Sequence, residues 1–341
     1  NRSIHSNVFC NNTNYSLHSS YILFIMKFCF IDINNFKYSF KDLNNKKLRG
    51  GEAVFINLSK EVSNNGHQVH VYNNCEDEYS NKNYFWSNIY KLLSNKINFD
   101  VVVSNGDCNA FNLVSANKNI LISHSNQPIE QFIRKRQTFS YLKYKPKICF
   151  SSNYQKKKRS KLISLFGDMV IPWSVDDIFL NEKISNTVNN NQAIFTSRPD
   201  RNQKMLINIW SKLIYKENNS LNLLIYGNSE ITSHKGISNK NLVNQSELIK
   251  DLKETRIFLI PGHRAETFCL SAEEARELCV PIITLGIGCL KERVIHGETG
   301  FIASNEREFA NLTLDLFRND NLWSTFRKNL INIRGKYNWF K

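Results

Sequence analysis

Two carboxylates eight residues apart, Glu266 and Glu274, stand between the apolar runs Arg256-Ile-Phe-Leu-Ile260 and Val280-Pro-Ile-Ile-Thr284. Such runs read as buried parallel strands, and the residues between them as a helix of about a dozen residues. Phe268, Ala272, Ala275 and Cys279 recur at helical spacing, which gives that helix one buried face and leaves Glu273, Arg276 and Glu277 elsewhere on the wheel. With its N-cap at Thr267, the helix would turn free amides and a positive end toward a diphosphate. Glu266 would then serve sugar hydroxyls, and Glu274, roughly 12 Å further along the axis, ribose hydroxyls. Ser271-x-x-Glu274 also spells a capping box, in which Glu274 would only cap a shorter helix. The stretch alone leaves the two readings even.

Other residues able to do chemistry are spread along the chain. Arg198 and Lys204 flank a turn between a strand and a helix, where two cations could clamp a diphosphate. Gly50-Gly51 stands where a strand passes into a helix, so a phosphate or sugar could approach the backbone there. His124 lies in a polar loop after the apolar run Ile120-Leu-Ile122, at the strand end where open α/β sheets hold ligands. Each also has an ordinary reading: a turn, a solvated cation, a hydrogen-bonded structural imidazole. Two basic clusters, Arg134-Lys135-Arg136 and Lys156-Lys157-Lys158-Arg159, read first as solvated helix faces and second as contacts for an anionic membrane surface.

The elements that would position these groups alternate strand and helix in both halves of the 341-residue chain, so two doubly wound α/β domains are expected to face a cleft. Residues 1–25 read as an extension before a first strand beginning at Met26. Residues 26–180 form the expected first domain, the Asn-rich segment 181–191 a linker, and residues 192–341 the second domain. Apolar content of 41% fits a globular protein and excludes wholesale disorder. A formal charge of +15 points to anionic partners without choosing among them. The eight cysteines form no Cys-x-x-Cys pair and have no histidine at metal-ligand spacing, so they read as core thiols of a reducing compartment. No Gly-x-Gly-x-x-Gly follows a strand, which sets a nicotinamide dehydrogenase last.

Taken together, Glu266-x7-Glu274, Val280-Pro281, the Gly288-Cys-Leu-Lys-Glu292 loop, His296-Gly-Glu-Thr-Gly-Phe301, Arg198 with Lys204, and Arg49-Gly50-Gly51 with His67 resemble glycosyltransferase family 4, the retaining enzymes of GT-B fold. The resemblance covers about Met26 to Trp339. It implies two Rossmann-like domains, the first for acceptor and the second for donor. It implies transfer of a sugar, of hexosyl type, from a nucleotide-diphosphate sugar to a hydroxyl of a glycan or lipid-linked glycan. It further implies a catalytic set of Glu266, His124, Arg198 and Lys204, with donor contacts from Gly50, Gly51, Arg198, Lys204, Glu266, Thr267, Phe268, Cys269, Leu270 and Glu274. No metal and no cofactor are implied, the donor being a substrate, and no nucleic acid is expected. A cytoplasmic location is expected, and the membrane reading of the two basic clusters would add peripheral contact with the inner membrane face. The alternatives are an epimerase or hydrolase of the same fold, or a non-catalytic basic module for nucleic acid or anionic membrane.

The sequence departs from the family pattern at Cys269 and Cys279, where glycine is frequent, and at Trp173-Ser-Val-Asp176, where Asn-Gly-Val-Asp is frequent. Tyr337-Asn-Trp339 resembles the start of the family's last helix, which the chain would cut short at Lys341.

Overall fold

The structure, a computed structural model, describes residues 25–45, 48, 50–94, 97–126, 129–184, 188–227, 234–241 and 243–336. The expected N-terminal extension falls almost wholly outside these residues, as do Arg49 and Tyr337-Asn-Trp339.

The first half builds one sheet from β1 (Lys27–Ile31), β2 (Gln68–Asn73), β3 (Tyr79–Ser80), β4 (Tyr84–Asn88), β5 (Phe99–Asn105), β6 (Ala116–Ile122), β7 (Lys147–Phe150) and β8 (Asp168–Val170). Their order is β3-β4-β2-β1-β5-β6-β7-β8, parallel throughout except for β3. The second half builds a fully parallel sheet, in the order β11-β10-β9-β12-β13-β14, from β9 (Asn189–Phe195), β10 (Asn222–Tyr226), β11 (Ile237–Lys240), β12 (Thr255–Gly262), β13 (Ile282–Ile287) and β14 (Gly300–Ile302). Central strands are covered on both faces, which is why they read as unbroken apolar runs: β12 is buried along its whole length. Chain order reverses at β1/β5 and at β9/β12, and open sheets hold ligands at such switch points.

In the first half the helices are α1 (Asp42–Asn45), α2 (Gly50–Asn64), α3 (Ile129–Arg134), α4 (Thr138–Tyr144) and α5 (Asn153–Lys158). The crossover carries α6 (Asp177–Leu180), and the second half adds α7 (Gln203–Ile209), α8 (Gln245–Glu254), α9 (Leu270–Glu277), α10 (Glu306–Arg318) and α11 (Asp320–Ile333). The two halves form a GT-B fold. Arg334, just past α11, donates to the carbonyls of Phe179, Leu180 and Glu182, which ties the end of the second domain to the crossover.

Several expectations are corrected. The helix of the Glu266–Glu274 stretch begins at Leu270, not near Thr267, and its N-cap Cys269 is left-handed (φ 67°). Phe268 therefore precedes the helix and packs into the core of the other domain beside Trp173. Glu273, Arg276 and Glu277 are buried as well, so α9 is covered nearly all round. Ion pairs make that burial tolerable: Arg276 meets Glu273 at 2.6 Å and Glu277 at 2.7 Å, and Arg293 pairs with Glu273 while lying 4.4 Å from the Phe268 ring centre.

Gly50 and Gly51 lie inside the first turn of α2 rather than in a loop before it. The expected linker is shorter than drawn, because β9 starts at Asn189. Its amide side chains find partners, Arg256 donating to Asn190 (3.0 Å) and Gln192 to Thr255 (3.1 Å), so an Asn-rich segment can enter a sheet. In the second basic cluster, Lys156 and Arg159 are held by Asp168 at 2.6 Å each, while Lys157 and Lys158 stay exposed.

Candidate functional site

A cleft of about 410 Å³ opens between the carboxyl ends of the two sheets. From the first domain it is lined by Gly50, Gly51, His124 and Trp173; from the second by Ser197, Arg198, Arg201, Val243, Asn244, Gln245, Leu248, Glu266–Ser271 and Glu274. The amino ends of α2 and α9 meet here: a Cβ added to Gly50 would lie 3.0 Å from Leu270 Cδ1, and one added to Gly51 3.5 Å from the His124 ring. Two helix amino termini with unspent amides, joined by the guanidinium groups of Arg198 and Arg201, make a site for a polyanion.

The two expected cations divide. Arg198 is exposed, held by Asp200 at 2.7 Å, and still lines the cleft; Lys204, exposed on the first turn of α7, does not. Arg201, which sequence reasoning did not select, takes the inner place, pairing with Glu266 at 3.0 Å and with Asp200 at 2.6 Å. Asn202, left-handed at φ 62°, ends that turn and donates to the Gly262 carbonyl.

The loop carrying Glu266 is locked by backbone geometry. Gly288 adopts φ 78°, and a Cβ there would come within 2.4 Å of the His263 carbonyl and 2.9 Å of that of Glu266. Glycine is the residue that allows this approach. The Cys289 amide then donates to the Glu266 carbonyl at 3.1 Å. Across the cleft, Ser152 donates to the Thr267 carbonyl, Tyr154 to that of Arg264 (2.7 Å), and the Asn153 and Tyr154 amides to the Glu292 carboxylate. Glu292 thus caps the start of α5 in the other domain. The neighbouring His296–Phe301 segment turns at Gly297–Thr299 into β14 and does not line the cleft.

Burial raises the pKa of Glu266 even against the charge of Arg201. Burial also pushes Glu274 up to about 7, and the nearby charge of Asp176 adds to it. No hydrogen bond or ion pair joins the Glu274 carboxylate to any described residue. The capping-box reading does not describe this helix: Ser271 lies within α9, and its hydroxyl pairs with Ser197 at 2.6 Å. Glu274 is a desolvated carboxylate at the cleft with its acceptor positions unused.

His124 is neutral near pH 7, burial having pushed its pKa down to about 4 against the charge of Asp32. Its Nε2 lies 2.5 Å from Asn105 Oδ1, while Asn105 Nδ2 donates to Asp32 at 2.7 Å and the Tyr38 hydroxyl to Asp32 at 2.6 Å. Because the Asn105 amide donates to Asp32, its oxygen is the acceptor, so Nε2 carries the proton and Nδ1 is left as an acceptor beside Gly51. Sequence reasoning missed Asn105 and Asp32. Both are polar residues at the carboxyl ends of buried strands flanking the switch point, a signal available in principle.

Cys269 and Cys279 are also accounted for. Both are left-handed, at φ 67° and 59°. Cys279 closes α9 in a Schellman turn, its amide reaching the Arg276 carbonyl and that of Val280 reaching Ala275, both at 2.9 Å. These are positions that favour glycine. The seven described cysteines are all free thiols.

A two-domain α/β protein with its cleft at both switch points is the architecture of the GT-B proteins, and comparison with known proteins agrees. Residues 179–332 match the family described as glycosyl transferases group 1. No curated protein sequence matches the chain. Among solved structures, TarM of S. aureus, crystallised with Fondaparinux, alpha-GlcNAc-glycerol and UDP, is 17% identical with a TM-score of 0.57 over 70% of this chain. The chain spans about half (52%) of the TarM length. Sucrose-phosphate synthase from Thermosynechococcus elongatus is 12% identical with a TM-score of 0.65, over 92% of this chain and 95% of that one. HepE of Anabaena, in complex with UDP and glucose, is 13% identical with a TM-score of 0.66 over the same shares. At such identities the likeness is one of fold.

Proposed function

We propose that the protein is a retaining glycosyltransferase of family 4, moving a hexosyl group from a nucleotide-diphosphate sugar to a hydroxyl of a glycan or lipid-linked glycan. The observation that carries this reading is the cleft itself: a two-helix, two-arginine polyanion site with the unpartnered carboxylate of Glu274 at its edge. The diphosphate lies against the starts of α2 and α9, with Arg198 and Arg201 neutralising it. Lys204 joins them only by swinging in. Glu274 accepts from the ribose hydroxyls, and Val243 and Leu248 flank the base. Glu266, fixed by Arg201, faces the sugar, and His124 Nδ1 accepts from a sugar hydroxyl.

In the transfer the anomeric C–O bond breaks and its electron pair leaves with the nucleotide β-phosphate. The acceptor oxygen forms the new bond, and its proton passes to that phosphate. The arginines and helix ends stabilise the departing charge, work that a divalent cation does at other sites, so the reaction is read as metal-independent and cofactor-free. No described helix is long and apolar enough to cross a membrane; a cytoplasmic location is part of the proposal.

The test is a thermal-shift panel of UDP, GDP and ADP, followed by transfer assays with the matching sugars and determination of the product's anomeric configuration. Stabilisation by one nucleoside diphosphate, retention of configuration, and loss of transfer in Glu266→Ala are expected. Inversion, or wild-type rates in Glu266→Ala, would refute the assignment. Turnover without any acceptor would instead identify an epimerase or hydrolase.

A further inference from the structure

Five large apolar side chains project from one end of the first domain: Ile133, Phe139, Leu142, Leu162 and Leu165, with exposures of 62, 73, 51, 62 and 64%. They belong to α3, α4 and the turn Lys161–Ser164 with its continuation. Tyr141 binds these elements into one body. Its hydroxyl donates to the Ile163 carbonyl at 2.6 Å and accepts from the Leu165 amide at 3.2 Å, and its ring packs on Phe132 and Phe166. Phe139 and Leu142, three residues apart on α4, share a face, as do Leu162 and Leu165 across the turn.

Around these side chains stand the exposed cations Arg134, Lys135, Arg136, Lys143, Lys145 and Lys161. From Ile129 to Leu165 the chain has a single carboxylate, Glu130. Asp168, the next one, is already matched by Lys156 and Arg159. Apolar side chains set among unneutralised cations fit a surface that is anionic outside and hydrocarbon within.

We infer that this face docks the protein on an anionic lipid bilayer, with Phe139, Leu142, Leu162 and Leu165 entering the acyl boundary and the cations meeting the headgroups. A protein partner for so basic a face would have to be acidic and apolar at once; an anionic bilayer has both properties by construction. The docked face borders the cleft. Asn126, three residues before α3, donates to the Arg264 carbonyl of the second domain at 3.2 Å. A lipid-borne acceptor would reach the site along that rim.

The experiment is co-sedimentation of the full chain with phosphatidylcholine vesicles containing about one third phosphatidylglycerol, at about 0.1 M salt, with pure phosphatidylcholine vesicles as reference. The wild type should pellet with the anionic vesicles and be released as salt rises. The double variant Phe139→Ser/Leu142→Ser should lose about tenfold or more in vesicle affinity, and Lys135→Glu/Arg136→Glu, which reverses two charges, at least roughly 30-fold. These side chains are exposed, so melting temperature and nucleotide binding should stay at wild-type values in both variants. That separates the inference from the glycosyltransferase reading. A wild type that stays in the supernatant would overturn it. So would an unchanged Phe139→Ser/Leu142→Ser variant, or self-association without lipid that this variant abolishes, which would show the face to be covered by a second copy.

Discussion

Replacing Glu274 by Gln should make the protein more stable and a worse binder of nucleotide, and the two effects should share one pH window. A carboxyl held at about 7 instead of 4.5 keeps its proton more tightly folded than unfolded. Its contribution is therefore fully present below pH 4.5 and is lost as pH rises to about 7. At ~1.4 kcal/mol per pH unit the loss reaches at most roughly 3 kcal/mol, less where cleft water screens the carboxylate. His124 runs the other way. With its pKa lowered from 6.5 to about 4, it contributes stability above 6.5 that is lost as pH falls toward 4. The wild-type profile alone could thus look flat between pH 4.5 and 6.5. The difference between wild type and Glu274→Gln cancels His124 and every other group. Urea unfolding of both proteins from pH 4.5 to 8.5 should give a difference that grows with pH, in favour of Gln, and levels off above about 7.5. Over the same range wild-type affinity for the nucleoside diphosphate should rise with pH, because the ionised form accepts from ribose hydroxyls, and affinity of the variant should not. A pH-independent stability difference would refute the claim that Glu274 is a desolvated, unpartnered carboxylate.

Other outcomes follow from the same geometry. At Cys279 the usual order of substitutions should invert, with Cys279→Gly more stable than Cys279→Ala by ~1 kcal/mol in urea unfolding, since only glycine escapes the left-handed cost. Glu273→Ala should destabilise by about 3–5 kcal/mol, because Arg276 and Arg293 both pair with the lost carboxylate in a buried setting. Asn105→Leu should leave nucleotide binding nearly unchanged while transfer slows by up to ~100-fold, the imidazole having lost its fixed tautomer and direction. Comparable losses of binding and rate in that variant would argue against a positioning role.

Much of the fold could be read from sequence because parallel strands covered on both faces leave continuous apolar runs such as Ile257–Ile260 and Val101–Val103. Short edge elements lack that signal. β3 and β11, at the sheet margins, and β4, flanked on its outer side only by the two-residue β3, are absent from the sequence reading, since such strands need no continuous buried run. The boundary error at α9 has a specific origin: a run spaced like a helix included Phe268, whose ring is buried in the other domain rather than along the helix. In the cleft, Glu266, Glu274, Arg198, Gly50, Gly51 and His124 line one wall or the other, whereas Lys204 stays outside. Spacing could not choose between Lys204 and Arg201, because that choice depends on a left-handed Asn202 and on Asp200 competing for Arg198. Cys269 and Cys279 looked anomalous as residues and make sense only as dihedral angles.

Phe268 has one more consequence. Its backbone belongs to the loop that shapes the second-domain side of the cleft, while its ring, 4% exposed, completes the hydrophobic core of the opposite domain with Trp173. Leu270 leans on the same core. Domain separation therefore cannot be a free swing about the crossover: drawing the halves apart extracts an aromatic plug from its socket and slackens the loop that carries Glu266. Access to the site and integrity of the site are governed by one latch. A protein so built should switch between shut and open in discrete steps, with the second-domain wall of the cleft held in the open form by its own contacts through Gly288 and Cys289.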